Sequence, residues 1–277
     1  MPADFHRDAF TCDRLTAISC FLLTARVVKT ASMSTAKRDQ KDRRRRAVPV
    51  QHVMDVLGPE YGPAEWKLRY DPASELVSTI LSQHTSDINS GRAFESLMAE
   101  FGSLEAVARG PVERVQHAIR MGGLAKTKAP RIMAVLQMVE GEVGSYDLSF
   151  LREMPLDEAK AWLKRLPGIG PKTAAIVLCF SMGLPAMPVD THIHRVAKRL
   201  GLVGPKITAE KAHDILESKV PPDDVFPFHM YLIRHGRAVC KAQRPQCERC
   251  VLADVCPSQP AFERSERRKR KARTRAA

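Results

Sequence analysis

Three groups of residues in this chain of 277 have the types and spacing to do chemistry. The first is Lys172, which follows Leu166-Pro167-Gly168-Ile169-Gly170-Pro171 at the head of an apolar run with helical spacing. Gly168 and Gly170 let the backbone turn tightly with its amides exposed, and Pro171 suits a first helical position because it has no N–H to leave unsatisfied. The result is a helix-hairpin-helix, in which a phosphodiester oxygen can lie against the amides of Gly168 and Gly170 without regard to base sequence. An ordinary helix-helix turn has the same signature, and a lone G-x-G does not separate the two. Lys172 tips the balance. An ammonium in a first helical turn sits at the wrong end of the dipole, whereas an amine there is a usable nucleophile for a Schiff base. The other reading is a surface lysine on a phosphate.

The second group is Asp190. It follows Pro188 and Val189, which break a helix, and precedes the pattern Thr191 to Leu200, so it reads as an N-cap. Beside Lys172 it also reads as a carboxylate able to stabilise positive charge. The third group is Cys240, Cys247, Cys250 and Cys256, spaced C-x6-C-x2-C-x5-C. Four thiolates in so short a loop suit one metal site. A zinc ribbon normally shows two C-x2-C knuckles, and only one close pair exists here. Disulfides suit small exported domains, and a chain of this size has no need of such staples. A cysteine-ligated [4Fe-4S] cluster fits best. Cys179 reads as a core residue.

The elements that must position these groups are helical. From Pro49 onward the apolar residues recur at helical spacing and β-branched alternation is scarce, which predicts an all-α body. The expected helices are Gln51 to Leu57, Pro72 to Ser82, Asp87 to Phe101, Ser103 to Ala108, Pro111 to Ile119, Ala125 to Val143, Asp157 to Arg165, Pro171 to Met182 and Thr191 to Leu200. The expected layout is a helical bundle over 72–187, a second lobe from 47–71 plus 188–258, and disordered basic flanks at 1–46 and 259–277. Asp4, Asp8 and Asp13 spoil the basic region of a secretory signal, and Met33 is an alternative initiator. No apolar run is long enough to span a bilayer. Of the formal charge of +13, residues 37–46 and 263–277 supply +11, so residues 47–262 carry about +1. A nucleic-acid face on the body must therefore arise by segregating charge.

Leu166 to Ala174 and Val189 to His192 match, residue by residue, the pattern LPG-hydrophobic-G-x-K-T-A and V-D-T-H. The chain resembles the endonuclease III branch of the helix-hairpin-helix DNA glycosylases, from about Val50 to Pro257 and including the cysteine loop. The resemblance implies a two-lobed helical DNA glycosylase fold with a [4Fe-4S] cluster loop, and Thr191 and His192 on the DNA side of the catalytic aspartate. It implies that Ser82-Gln83-His84-Thr85-Ser86-Asp87 is a loop that fills the gap left by an extruded base. The filling position aligns with His84, beside Gln83, where the family usually has Gln; a helix-capping surface role is the alternative. It implies too that Leu124, in Gly122-Gly123-Leu124-Ala125-Lys126-Thr127-Lys128, wedges into the duplex. The alternative for Leu124 is a hydrophobic staple. Lys126 and Lys128 fit phosphate contacts. The activity implied is a bifunctional glycosylase and abasic-site lyase acting on damaged pyrimidines in double-stranded DNA, as a monomer. It would sit with the nucleoid in a bacterial cytoplasm, or in a eukaryotic nucleus or organelle. The rivals are an adenine-mismatch glycosylase, which typically lacks the hairpin lysine and carries a further C-terminal domain, and a noncatalytic DNA-binding module.

Overall fold

The computed structural model describes residues 47–264. The expectations for residues 1–46 and for the basic run Arg267 to Arg275 lie outside the described residues. Within them the chain is helical with no strand. The helices are α1 (Val50–Tyr61), α2 (Pro72–Ser82), α3 (Asp87–Phe101), α4 (Leu104–Arg109), α5 (Val112–Ala118), α6 (Ala125–Val143), α7 (Leu156–Arg165), α8 (Pro171–Ile176), α9 (Thr191–Arg199), α10 (Ala209–Glu217) and α11 (Val225–Ala238).

Local chemistry sets most of these boundaries. Asp71, Ser86, Ser103 and Thr208 each accept a hydrogen bond from the amide three residues on, which opens α2, α3, α4 and α10. Gly102 and Gly144 close α3 and α6 in the left-handed conformation that a side chain resists. Two boundaries differ from expectation. α1 runs past Leu57 through Pro59 to Tyr61, because a proline in the last turn forfeits only one backbone bond. The expected single helix Pro171 to Met182 ends as α8 at Ile176 and widens into a π-turn over Val177–Ser181. There the Trp66 indole donates to the Cys179 and Phe180 carbonyls at 2.9 and 3.1 Å, and satisfies backbone groups near the widened turn.

The apolar side chains form two clusters. One joins residues of α2 to α8, from Ala73 to Ala186. The other joins Val48, Val53 and Leu57 to residues of α9, α10 and α11, and to Leu252. The π-turn lies between them: Leu178 belongs to the first cluster, while Cys179 packs in the second with Phe180 against it. α8 and α9, which carry Lys172 and Asp190, thus flank the passage from one cluster to the other. One expectation is corrected. Residues 259–264, assigned to a disordered tail, are helical. Gln259 is buried, and the Phe262 ring lies under the Arg199 guanidinium at 4.6 Å.

Candidate functional site

The hairpin is anchored from below. Leu166 and Ile169 are buried in the first cluster, and the Ile169 amide donates to the Leu166 carbonyl at 3.1 Å. Gly168 turns at a φ of +76°, and a Cβ there would come within 2.6 Å of Arg131 Nε. Gly170 is extended, with open space where a Cβ would stand. The two glycines therefore serve different ends, since Gly168 is required by the fold and Gly170 leaves room for an approaching group.

Lys172 is exposed at the second position of α8 and forms no hydrogen bond or ion pair with the described residues. Asp190 caps α9, its Oδ1 accepting from the Ile193 amide at 2.7 Å. Its Oδ2 has no protein partner among the described residues. His229 of α11 is buried and donates from Nδ1 to the Pro188 carbonyl, two residues before Asp190, at 3.0 Å. Burial drives its pKa down to about 4; Asp190 acts against that shift, and Lys172 and Arg237 act with it. Thr191 is exposed at the start of α9. The Nδ1 of His192 accepts from Arg195 Nη2 of the same helix at 3.1 Å, and its Cβ lies against Gly236 of α11.

The two loops differ in what they offer to solvent. His84 is exposed with φ +56°, and Leu124 is 57% exposed with φ +52°. A staple would bury Leu124, so that alternative fails. Gln83 is held back, its Oε1 accepting from Arg131 Nη1 at 3.0 Å. Lys126 is exposed. Lys128 does not fit a phosphate contact. It is 2% exposed and its Nζ donates to the carbonyls of Leu81 and Gly122, at 2.7 and 2.8 Å. Burial holds its pKa below the usual lysine value, and those two carbonyls are what make a buried ammonium tolerable.

Cys240, Cys247, Cys250 and Cys256 are half-buried free thiols that line one hollow between α9, α11 and the C-terminal loop. Burial first, and the neighbouring thiols after it, push Cys250 up to about 12 and raise Cys247; burial also raises Cys256. Four thiolates so placed repel one another unless a cationic centre sits among them, which is what an iron-sulfur cluster provides. Around them stand residues that the sequence did not single out. Arg199 Nη1 lies 3.2 Å from Cys240 Sγ and donates to the Lys241 carbonyl at 2.7 Å, while its Nη2 donates to Ala242 at 3.0 Å. His235 is buried with Nε2 3.6 Å from Cys250 Sγ, and its Nδ1 meets the Tyr61 hydroxyl at 3.0 Å. These partners come from three helices distant in sequence, so no local pattern announces them. Across the molecule, Arg237 of α11 pairs with Asp87 of α3 at 2.8 Å.

Comparison with known proteins places this arrangement. The family model for the HhH-GPD superfamily base excision DNA repair protein matches residues 77–222, and that for the iron-sulfur binding domain of endonuclease III matches residues 240–256. Endonuclease III of Bacillus subtilis is 34% identical over 208 residues, covering 75% of this chain and 91% of that protein. A solved non-covalent endonuclease III-DNA complex is similar with a TM-score of 0.67 and 28% identity, covering 78% of this chain and 97% of that one. A trapped endonuclease III-DNA covalent intermediate is similar with a TM-score of 0.66 and 28% identity, covering 76% and 96%. The chain belongs to the endonuclease III family of helix-hairpin-helix base-excision DNA repair enzymes, DNA glycosylases and abasic-site lyases that carry an iron-sulfur cluster.

Proposed function

We propose that Lys172 is the amine nucleophile and Asp190 the carboxylate of a bifunctional glycosylase and lyase that removes oxidised pyrimidines from double-stranded DNA. The supporting observation is the division of labour at Asp190. Oδ1 caps α9 and so fixes the side chain, while Oδ2 makes no hydrogen bond with the described residues, and Lys172 is exposed and unpaired among them at the head of α8. A nucleotide rotated out of the duplex enters between the lobes formed by 72–187 and by 47–71 plus 188–258. The Lys172 amine attacks C1′, and the C1′–N bond breaks with its electrons leaving on the base. Asp190 stabilises the positive charge on the sugar and takes a proton from the lysine. The C1′–O4′ bond of the sugar ring then breaks, its electrons going to O4′, which takes up a proton, and C1′ becomes the carbon of a Schiff base; this acidifies the C2′ proton, whose loss expels the 3′ phosphate by β-elimination. The covalent intermediate with DNA trapped in the related endonuclease III supports a covalent step here.

The exposed His84 and Leu124 fill and wedge the duplex, the amides of Gly168 and Gly170 hold a phosphate, and Lys126 and Thr191 lie at its edge. His192 stands beside Thr191 at the start of α9 on the DNA side, its ring held by Arg195. The four cysteines hold the cluster, which supplies structure to the loop carrying Lys241, Arg244 and Arg249 and takes part in no bond exchange. The enzyme acts as a monomer wherever chromosomal DNA is kept. No helix among the described residues is long and apolar enough to cross a membrane. The test is borohydride trapping and nicking of duplexes carrying thymine glycol, an abasic site, uracil, or adenine opposite 8-oxoguanine. Trapping is expected with thymine glycol and the abasic site, and Lys172→Gln is expected to abolish it while lesion binding persists. Trapping by Lys172→Gln at the wild-type rate removes Lys172 from the mechanism.

A further inference from the structure

We propose that Lys128 and Arg131 of α6 are positioning residues that lock the gap-filling loop, the wedge loop and the hairpin into one register, so that base extrusion meets a preformed wedge. This rests on the loop assignments made under the proposed function and extends them to residues that touch no DNA. The Lys128 ammonium reaches two carbonyls from different parts of the chain. Leu81 lies at the end of α2, three residues before His84, and Gly122 lies two residues before Leu124. His84 and Leu124 are two of the three non-glycine residues with positive φ among those described. A side chain resists that backbone region, which persists where the surroundings impose it. Each strained residue therefore follows closely on a carbonyl that Lys128 grips.

Arg131 extends the brace by one turn on the same face of α6. Its Nη1 donates to the Gln83 side chain, and its side chain packs so close to Gly168 that a Cβ there would push the guanidinium aside. One helix face thus fixes three segments that a duplex would meet together. Holding Gln83 back also selects His84 as the tip of its loop. Extruding a nucleotide requires a few kcal/mol of unstacking and unpairing, and loops already fixed in the wedged conformation avoid a further ordering cost at that moment.

The test compares single-turnover excision of thymine glycol from two duplexes, one with adenine opposite the lesion and one with an abasic gap opposite, where extrusion is easier. Lys128→Met removes both donors at similar length, Arg131→Gln releases Gln83 and Gly168, and Lys128→Arg keeps a cation. With adenine opposite, Lys128→Met and Arg131→Gln are expected to be slowed about tenfold or more, the effect of losing roughly 1.4 kcal/mol of help with extrusion. Opposite the gap they are expected within about twofold of wild type, and Lys128→Arg to recover most of the loss. Equal slowing on both duplexes, or none on either, overturns the brace while leaving the chemistry at Lys172 intact. A wild-type protein that excises from neither duplex overturns the proposed chemistry and the brace with it. Should Lys128→Met fail to fold, Arg131→Gln alone decides.

Discussion

At the scale of the residue, Asp190 is both a cap and the proposed carboxylate, and its two oxygens allow the roles to be separated. Oδ1 is committed to the Ile193 amide, a bond that an asparagine Oδ1 makes about as well. Asp190→Asn is therefore expected to keep a near-wild-type melting temperature and to lose about a hundredfold or more in base excision, the scale of removing one preorganised electrostatic stabiliser. A variant that melts several degrees lower yet excises normally when folded leaves Asp190 as a cap only. Lys128 shows where residue-level reading fails. In Leu124-Ala125-Lys126-Thr127-Lys128 both lysines look alike, but only Lys126 is exposed, because Lys128 satisfies a carbonyl 47 residues away. Such a partner is invisible to local pattern. The cysteine loop was legible because its spacing along the chain is itself the signal, and the cap at Asp190 because Pro188 and Val189 break the chain before a helical pattern.

At the scale of the element, the hairpin has two glycines that sequence treats as equivalent and the structure does not. Gly168 combines a left-handed φ with contact against Arg131, whereas Gly170 is extended and faces open space. Gly168→Ala is expected to lower stability by about 1 to 3 kcal/mol, the combined effect of backbone strain and steric displacement of the guanidinium. Gly170→Ala is expected to leave the melting temperature unchanged and to weaken duplex binding, since its methyl group intrudes only where a phosphate approaches. Equal melting temperatures for the two variants would refute the distinction. Most helices were legible for related reasons: Asp71, Ser86 and Ser103 announce where α2, α3 and α4 begin. The π-turn was not, because its carbonyls are satisfied by Trp66, more than a hundred residues earlier. Residues 259–264 were misread because the basic run beyond them masks Gln259 and Phe262, which pack inward.

At the scale of the whole molecule, acidity and salt act on different parts. Burial depresses the folded-state pKa of His229 to about 4, below the ordinary 6.5, so the unfolded chain binds a proton that the folded chain refuses. The stability it contributes is complete above pH 6.5 and is lost as the pH falls through 4. His229→Phe is expected to flatten the fall in melting temperature over that interval, and an unchanged acid limb would place the sensitivity elsewhere. Salt acts on association with DNA. Residues 47–262 are nearly neutral overall, whereas residues 265–277 carry seven basic side chains and one acidic one. Affinity for a polyanion that is supplied by a charged run falls steeply with salt, by a log-log slope of about 0.9 for each phosphate neutralised. Deleting 265–277 is therefore expected to make the slope for undamaged duplex shallower by several units while single-turnover excision at saturating enzyme stays at the wild-type rate. The chemistry proposed at Lys172 and the wedge proposed at Leu124 are short-range, whereas attraction to the backbone is not. If the slope is unchanged on deletion, the attraction comes instead from charge segregated on the helical body, with the exposed Lys126 and the basic cysteine loop as its source.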